Sequence, residues 1–230
     1  MSLVEMMIGI TLGMMVLAGA IIVSTTQLAD HRRLLLETQV QQDLRVAVDL
    51  LARDLRRAGY WAAAPQAVSP NATELAAVLN NPYATVSPAN STCANQIEYS
   101  FSRDEEGAAA YTENNTQDQD ERTGFRLQNV GGVGVLQMKL ADEWQALTDP
   151  TVIRITRFCV RITSTASNLP NGSDPDQWPA TGPSGGTLKL CQRNATIEIE
   201  ATAFHDSAVQ RSVGTDVRLR NDLIREGSCT

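Results

Sequence analysis

The 230-residue chain predicts an α+β fold, a long N-terminal α-helix packed on an antiparallel β-sheet head. Three observations carry that prediction. No proline interrupts residues 1–64, and the stretch from Met6 to Ala29 has no charged side chain. Beyond it, Leu44, Val48, Leu51, Leu55 and Ala58 recur at alternating spacings of four and three, which puts them on one stripe of a helix. From Gln96 onward, segments of alternating apolar and polar residues follow one another with no helical pattern between them, as in an antiparallel sheet.

The helix is predicted from near Ser2 to about Ala58, with Gly59 as its C-cap. Such a helix is about 85 Å long. Its halves differ. Residues 1–29 form an apolar transmembrane or filament-core half, since roughly 20 apolar residues cover the ~30 Å of a bilayer core. Residues 30–60 form an amphipathic half packed on the head, and residues 61–230 form a globular, β-rich head. The first half has nothing in the chain to cover it and needs lipid or other copies of itself, which points to an assembling subunit. Gly9, Gly13 and Gly19 each weaken it by up to about 1 kcal/mol relative to alanine. They allow close approach of neighbouring helices, or local unwinding when the helix leaves lipid.

Glu5 opens this apolar run. A carboxylate there costs several kcal/mol if it enters hydrocarbon unpaired. Either it pairs with a positive charge on another copy, most simply a free N-terminal amine, or it rests in the headgroup zone.

Residues 62–95, rich in Ala, Pro and Asn, read as an irregular connection with a short helix near 73–79. Strands are predicted at 96–102, 124–128, 135–140, 152–163, 187–192, 196–204 and 212–220. Ile97, Tyr99 and Phe101 share one face of the first. Ile197, Ile199 and Ala201 oppose Glu198, Glu200 and Thr202 in the sixth. Gly131-Gly132-Val133-Gly134 reads as a turn and not a phosphate loop, because no helix follows it. Residues 164–186 form a long exposed loop holding four prolines. Asp104-Glu105-Glu106 and Asp118, Asp120 and Glu121 flank a polar stretch that reads as a solvated surface loop. Calcium is the alternative there, although the alternation of acidic residues around a central glycine is missing.

The four cysteines lack CxxC or Cys/His metal spacing and suit disulfides in an oxidising compartment. Strand parity puts Cys159 opposite the face of Phe158, Val160 and Ile162, and Cys191 opposite that of Leu188 and Leu190. Parity therefore suggests Cys159–Cys191 at the base of the long loop, stabilising by about 3–4 kcal/mol. Cys93 is then left with Cys229. The two other connectivities stay open.

Several stretches carry a family likeness. Met1-Ser2-Leu3-Val4-Glu5-Met6-Met7-Ile8 resembles the mature N-terminus of type IV pilins, as left by prepilin peptidase cutting after a glycine in a basic leader. Arg53-Asp54-Leu55-Arg56-Arg57-Ala58-Gly59-Tyr60 resembles the helix exit of the PilW family of minor pilins. So do Gly124-Phe125-Arg126-Leu127, Trp144-Gln145-Ala146-Leu147-Thr148-Asp149-Pro150 and Val217-Arg218-Leu219-Arg220-Asn221. Many pilins carry a proline near position 22, where this chain has Ile22.

The resemblance implies a structural subunit of a type IV pilus, a minor pilin that primes assembly or forms a tip complex with other minor pilins and an adhesin-like protein. Glu5 would neutralise the Met1 amine of an adjacent subunit, and that amine would be N-methylated. It implies storage in the inner membrane with the head in the periplasm, then an extracellular pilus. The positive-inside rule applied to Arg32 and Arg33 would invert this orientation, but the absent leader would carry the basic residues that restore it, and the cysteines agree with the periplasm. The main subunit of a pilus-like filament, a type II secretion pseudopilin and a membrane-tethered binding module are the alternatives. Adhesion, twitching motility and DNA uptake all use such subunits.

A formal net charge of −7 argues against general nucleic-acid binding. Basic residues cluster at His31-Arg32-Arg33, at Arg53, Arg56 and Arg57, and at Arg154, Arg157 and Arg161. They read as solvated faces with helical partners such as Asp49–Arg53. Two histidines and no HExxH, GxSxG or Walker pattern argue against an enzyme, and no cofactor is expected. Sequons stand at Asn71, Asn90, Asn114, Asn171 and Asn194, and chance accounts for most of them in so Asn-, Ser- and Thr-rich a chain.

Overall fold

The computed structural model describes residues 2–64, 81–89, 92–103, 113–169 and 185–229. Helix α1 spans Leu3–Leu55, 53 residues and about 80 Å of unbroken helix. The predicted stripe is its buried face: Leu44, Leu51, Leu55 and Ala58 are fully buried and Val48 is nearly so, joined by Val40, Ala47 and Ala52. The regular helix stops three residues short of the expected end. Arg57 and Ala58 donate to carbonyls three residues back, a tightened last turn, and Gly59 (φ +78°) then turns the chain away.

Among the described residues the head has two antiparallel sheets where one was expected. The first runs β1 (Val86–Ser87), β2 (Gln96–Ser100), β3 (Arg122–Val130), β4 (Val133–Leu140) and β5 (Glu143–Ala146), in that order. The second runs β6 (Ile153–Asn168), β7 (Leu188–Ala203) and β8 (Gln210–Arg218), with β9 (Leu223–Glu226) paired to β7 beyond β8. Both sheets and the helix stripe close one core that includes Ile97, Phe101, Phe125, Leu136, Phe158, Val160, Ile197 and Ile199. The predicted glycine turn is the β3–β4 hairpin. Gly131 (φ +61°) and Gly132 (φ +87°) supply the two left-handed positions such a turn needs, and Gly132 donates to Asn129 Oδ1 at 2.8 Å.

Several strand expectations change. Residues 187–192 and 196–204 are one strand, because Arg193, the inward-facing residue between them, is buried and does not end the ladder. Strand β6 runs on to Asn168 against it, so the long loop begins later than 164. The short strands β1, β5 and β9 have too few residues to show alternation. The expected helix near 73–79, Asp104, Glu105 and Glu106, and most of the long loop lie outside the described residues.

The disulfides join Cys93 to Cys159 and Cys191 to Cys229, with Cα separations of 5.0 and 5.4 Å, so the parity pairing is overturned. The register gives the reason. Cys159 lies opposite Glu198 and Cys191 opposite Ala166, seven positions apart along the ladder, or about 23 Å. The cysteines also take opposite faces. Cys191 shares the parity of Ala195, Ile197 and Ile199, which are buried in the core, whereas Cys159 takes the face opposite Phe158, Val160 and Ile162. There the Ala94↔Val160 bridge brings Cys93 alongside.

Candidate assembly site

Every residue of α1 from 3 to 35 is exposed. Leu3, Met6, Met15, Val16, Leu17 and Ile22 are each more than 60 % exposed, and a Cβ added at Gly9, Gly13 or Gly19 would meet no atom within 4 Å. The hydroxyls of Thr11, Thr25 and Thr26 donate back to helix carbonyls three or four residues earlier, at 2.9 to 3.1 Å. Those groups are satisfied within the helix, the condition an apolar environment imposes. By length and composition this helix can cross a membrane.

Glu5 sits in the first turn, where the helix dipole favours a carboxylate. Ser2-Leu3-Val4-Glu5 has the spacing of a capping box, but Ser2 caps through its backbone alone, its carbonyl accepting the N–H groups of Glu5 and Met6 at 3.0 and 3.3 Å. The Glu5 carboxylate is exposed and has no partner among the described residues. Met1 is outside them.

Where the helix meets the head, buried polar groups do the fastening. Asp54 accepts from Tyr99 Oη at 2.7 Å and Thr123 Oγ1 at 3.3 Å, joining α1 to β2 and β3. Burial first, and then the Asp54 charge, hold the Tyr99 phenol well above its usual pKa. Glu121, expected on a solvated loop, is buried. It accepts from Tyr83 Oη and the backbone N–H of Arg103, and closes a capping box with Asp118 around a single 3₁₀ turn. Arg193 donates to the carbonyls of Ala84 and Asn221 and lies against Gly59, where an added Cβ would come within 2.8 Å of its Nη2. Burial lowers its pKa to about 10, with Arg225 adding to the shift and Asp222 opposing it.

The helix-exit motif is thus a junction. Gly59 N–H donates to Ser100 O, Ser102 N–H to Tyr60 O and Arg220 N–H to Arg56 O, while Asn221 Nδ2 donates to the carbonyls of Arg57 and Ala58. Asp54 lies three residues after Leu51 and four before Ala58, so its place on the buried stripe was there to be read. Arg193 and Tyr83 gave no such signal, since their partners come from distant segments.

The expected Asp49–Arg53 pair is absent among the described residues. The helix instead pairs Arg33 with Glu37 at 3.3 Å, and Arg57 with Asp54 at 4.0 Å. Glu37 also meets Arg211 of β8, clasping the helix where it leaves the head. Arg157 reaches Glu198 and Glu200, and Arg161 the carbonyl of Thr92. His205 packs edge-on against Phe204. No group of three or more His, Cys, Asp or Glu side chains is placed to hold a metal among the described residues.

A family model described as "Prepilin peptidase-dependent protein B" matches residues 33–219, the docked half of α1 and nearly all of the head. Neither the comparison with curated proteins nor that with solved structures finds a match.

Proposed function

From the premise that this chain belongs to the prepilin peptidase-dependent protein B family and is type IV pilus-related, we propose that it is a PilW-type minor pilin, a non-enzymatic structural subunit. The observation that carries this reading is the projecting half of α1, apolar and exposed, with a carboxylate at its tip that has no partner among the described residues. Residues 1–29 hold the subunit in the inner membrane with its head in the periplasm, then pack among other such helices in the filament core. Glu5 pairs with the N-methylated amine of Met1 on an adjacent subunit, since a charge leaving the headgroup zone needs a partner in an apolar core. The head meets other minor pilins and an adhesin-like protein in a complex that primes assembly or caps the tip.

The test is electron microscopy and mass spectrometry of filaments sheared from cells expressing the chain, beside a Glu5→Leu variant. Trace incorporation that depends on Glu5 is the expected result. A dominant, Glu5-dependent species would make it the main subunit. Retention in the membrane whatever residue stands at position 5 would replace assembly with a tethered binding module.

A further inference from the structure

At the end of α1 opposite Glu5, an open cleft of about 680 Å³ is lined by Arg56, Arg57, Tyr60, Arg103, Arg220 and Asn221. We propose that this cleft docks an acidic segment of a partner protein, its carboxylates held by the four guanidinium groups.

The site is built from three separated stretches of chain that backbone hydrogen bonds lock together: Ser102 N–H to Tyr60 O at 2.9 Å, and Arg220 N–H to Arg56 O at 3.3 Å. Two of the arginines are also posed by one ring. The guanidinium carbon of Arg57 lies 4.1 Å, and that of Arg103 4.9 Å, from the centroid of Phe101, which is fully buried and cannot swing away.

Among the described residues the charge within the cleft is uncompensated. Among the described residues, Arg56, Arg103 and Arg220 form no ion pair, and Arg57 has only Asp54 at 4.0 Å. That carboxylate is already committed to Tyr99 and Thr123. The nearby Glu121 is taken by Tyr83, by the backbone of Arg103 and by its capping box, and Asp222 pairs with Arg218. Arg103 Nε is buried with no acceptor among the described residues. Like charges gathered this closely repel one another and strengthen the attraction for an anion. The planar guanidinium fork matches a carboxylate in bidentate geometry.

An acidic polypeptide fits better than a nucleic acid. The chain as a whole carries −7, which repels a long polyanion, and these four arginines form a local cleft and not a stripe along which a backbone could track. Tyr60, 48 % exposed at the rim, offers an aromatic anchor beside the charges. Docking here needs neither Glu5 nor a filament, so it stands or falls apart from the assembly reading.

The experiment is fluorescence anisotropy of a labelled hexaglutamate peptide titrated with the full chain in detergent, alongside hexalysine and a short oligothymidine. Arg56→Gln with Arg220→Gln removes two exposed cleft charges. Arg220→Gln alone is the milder variant, and Arg32→Gln with Arg33→Gln removes a basic pair elsewhere. Hexaglutamate is expected to bind the wild type and the Arg32/Arg33 variant alike. The double cleft variant should bind at least about tenfold more weakly, and Arg220→Gln should fall between. Raising salt from roughly 0.05 to 0.5 M should weaken binding throughout. Equal binding by the cleft variants at unchanged melting temperature, no hexaglutamate binding by the wild type, or tighter binding of oligothymidine would each overturn the proposal.

Discussion

The two halves of α1 share one backbone conformation and have opposite surroundings. From Val40 to Leu55 the helix buries a stripe against both sheets and anchors it through Asp54, whereas from Leu3 to Leu35 every residue is exposed. Helical periodicity is complete in the docked half because only one face meets a core. It is absent between Met6 and Val23 of the projecting half, where the helix is apolar almost all round, the pattern of a helix surrounded on every side. One half finds its partner within the chain, and the other must find it outside.

The sharpest way to break this comparison is to truncate matched leucines. Leu51→Ala should lower the stability of the head by about 2–5 kcal/mol, because it opens a cavity in a fully packed site. Leu17→Ala, 63 % exposed, should leave head unfolding unchanged. Equal losses in chemical denaturation of the full chain in detergent would show that the halves are not energetically separate.

A smaller effect is expected from Asp54→Ala, which strands the Tyr99 hydroxyl without its charged acceptor. Roughly 1–3 kcal/mol should be lost by the same measurement. Asp49→Ala, an exposed carboxylate on the same helix, should move stability by no more than about 0.5 kcal/mol.

Tyr99 also predicts a pH dependence. Its folded pKa is raised, so above a pH of about 10 the unfolded chain releases the phenolic proton while the folded chain retains it. The stabilisation is full below that pH and is lost as pH rises toward the folded value. Tyr83, raised by burial and by its bonds to Glu113 and Glu121, acts in the same direction. Tyr99→Phe should flatten the alkaline loss seen in wild-type denaturation midpoints; an unchanged slope would mean that the phenol is not confined as described.

The smallest expected effect is that of Glu5→Leu on the head, within about 0.5 kcal/mol of zero. A larger shift would show that the helix tip communicates with the fold and is not purely an assembly element.

Residue order along one helix or one strand was enough to read much of this molecule. The proline-free start, the uncharged run, the stripe from Leu44 to Ala58 and the alternation around Ile97 and Ile197 each reflect a local period that the backbone imposes. What crossed the chain was not legible. The division into two sheets and the fusion of two predicted strands into β7 depend on which segments pair. The disulfide partners do too: parity put Cys159 and Cys191 on a common face, while the register sets them seven positions apart and on opposite faces. The same holds for Glu121, drawn from a loop into the core by Tyr83, and for the four arginines gathered from residues 56, 57, 103 and 220. By itself the sequence determined an exposed apolar helix tipped by Glu5 and a β-rich head beneath its second half, because local periodicity and hydropathy suffice for both. Only the tertiary structure decided which distant side chains meet, because that follows from register and packing, to which no local pattern is bound.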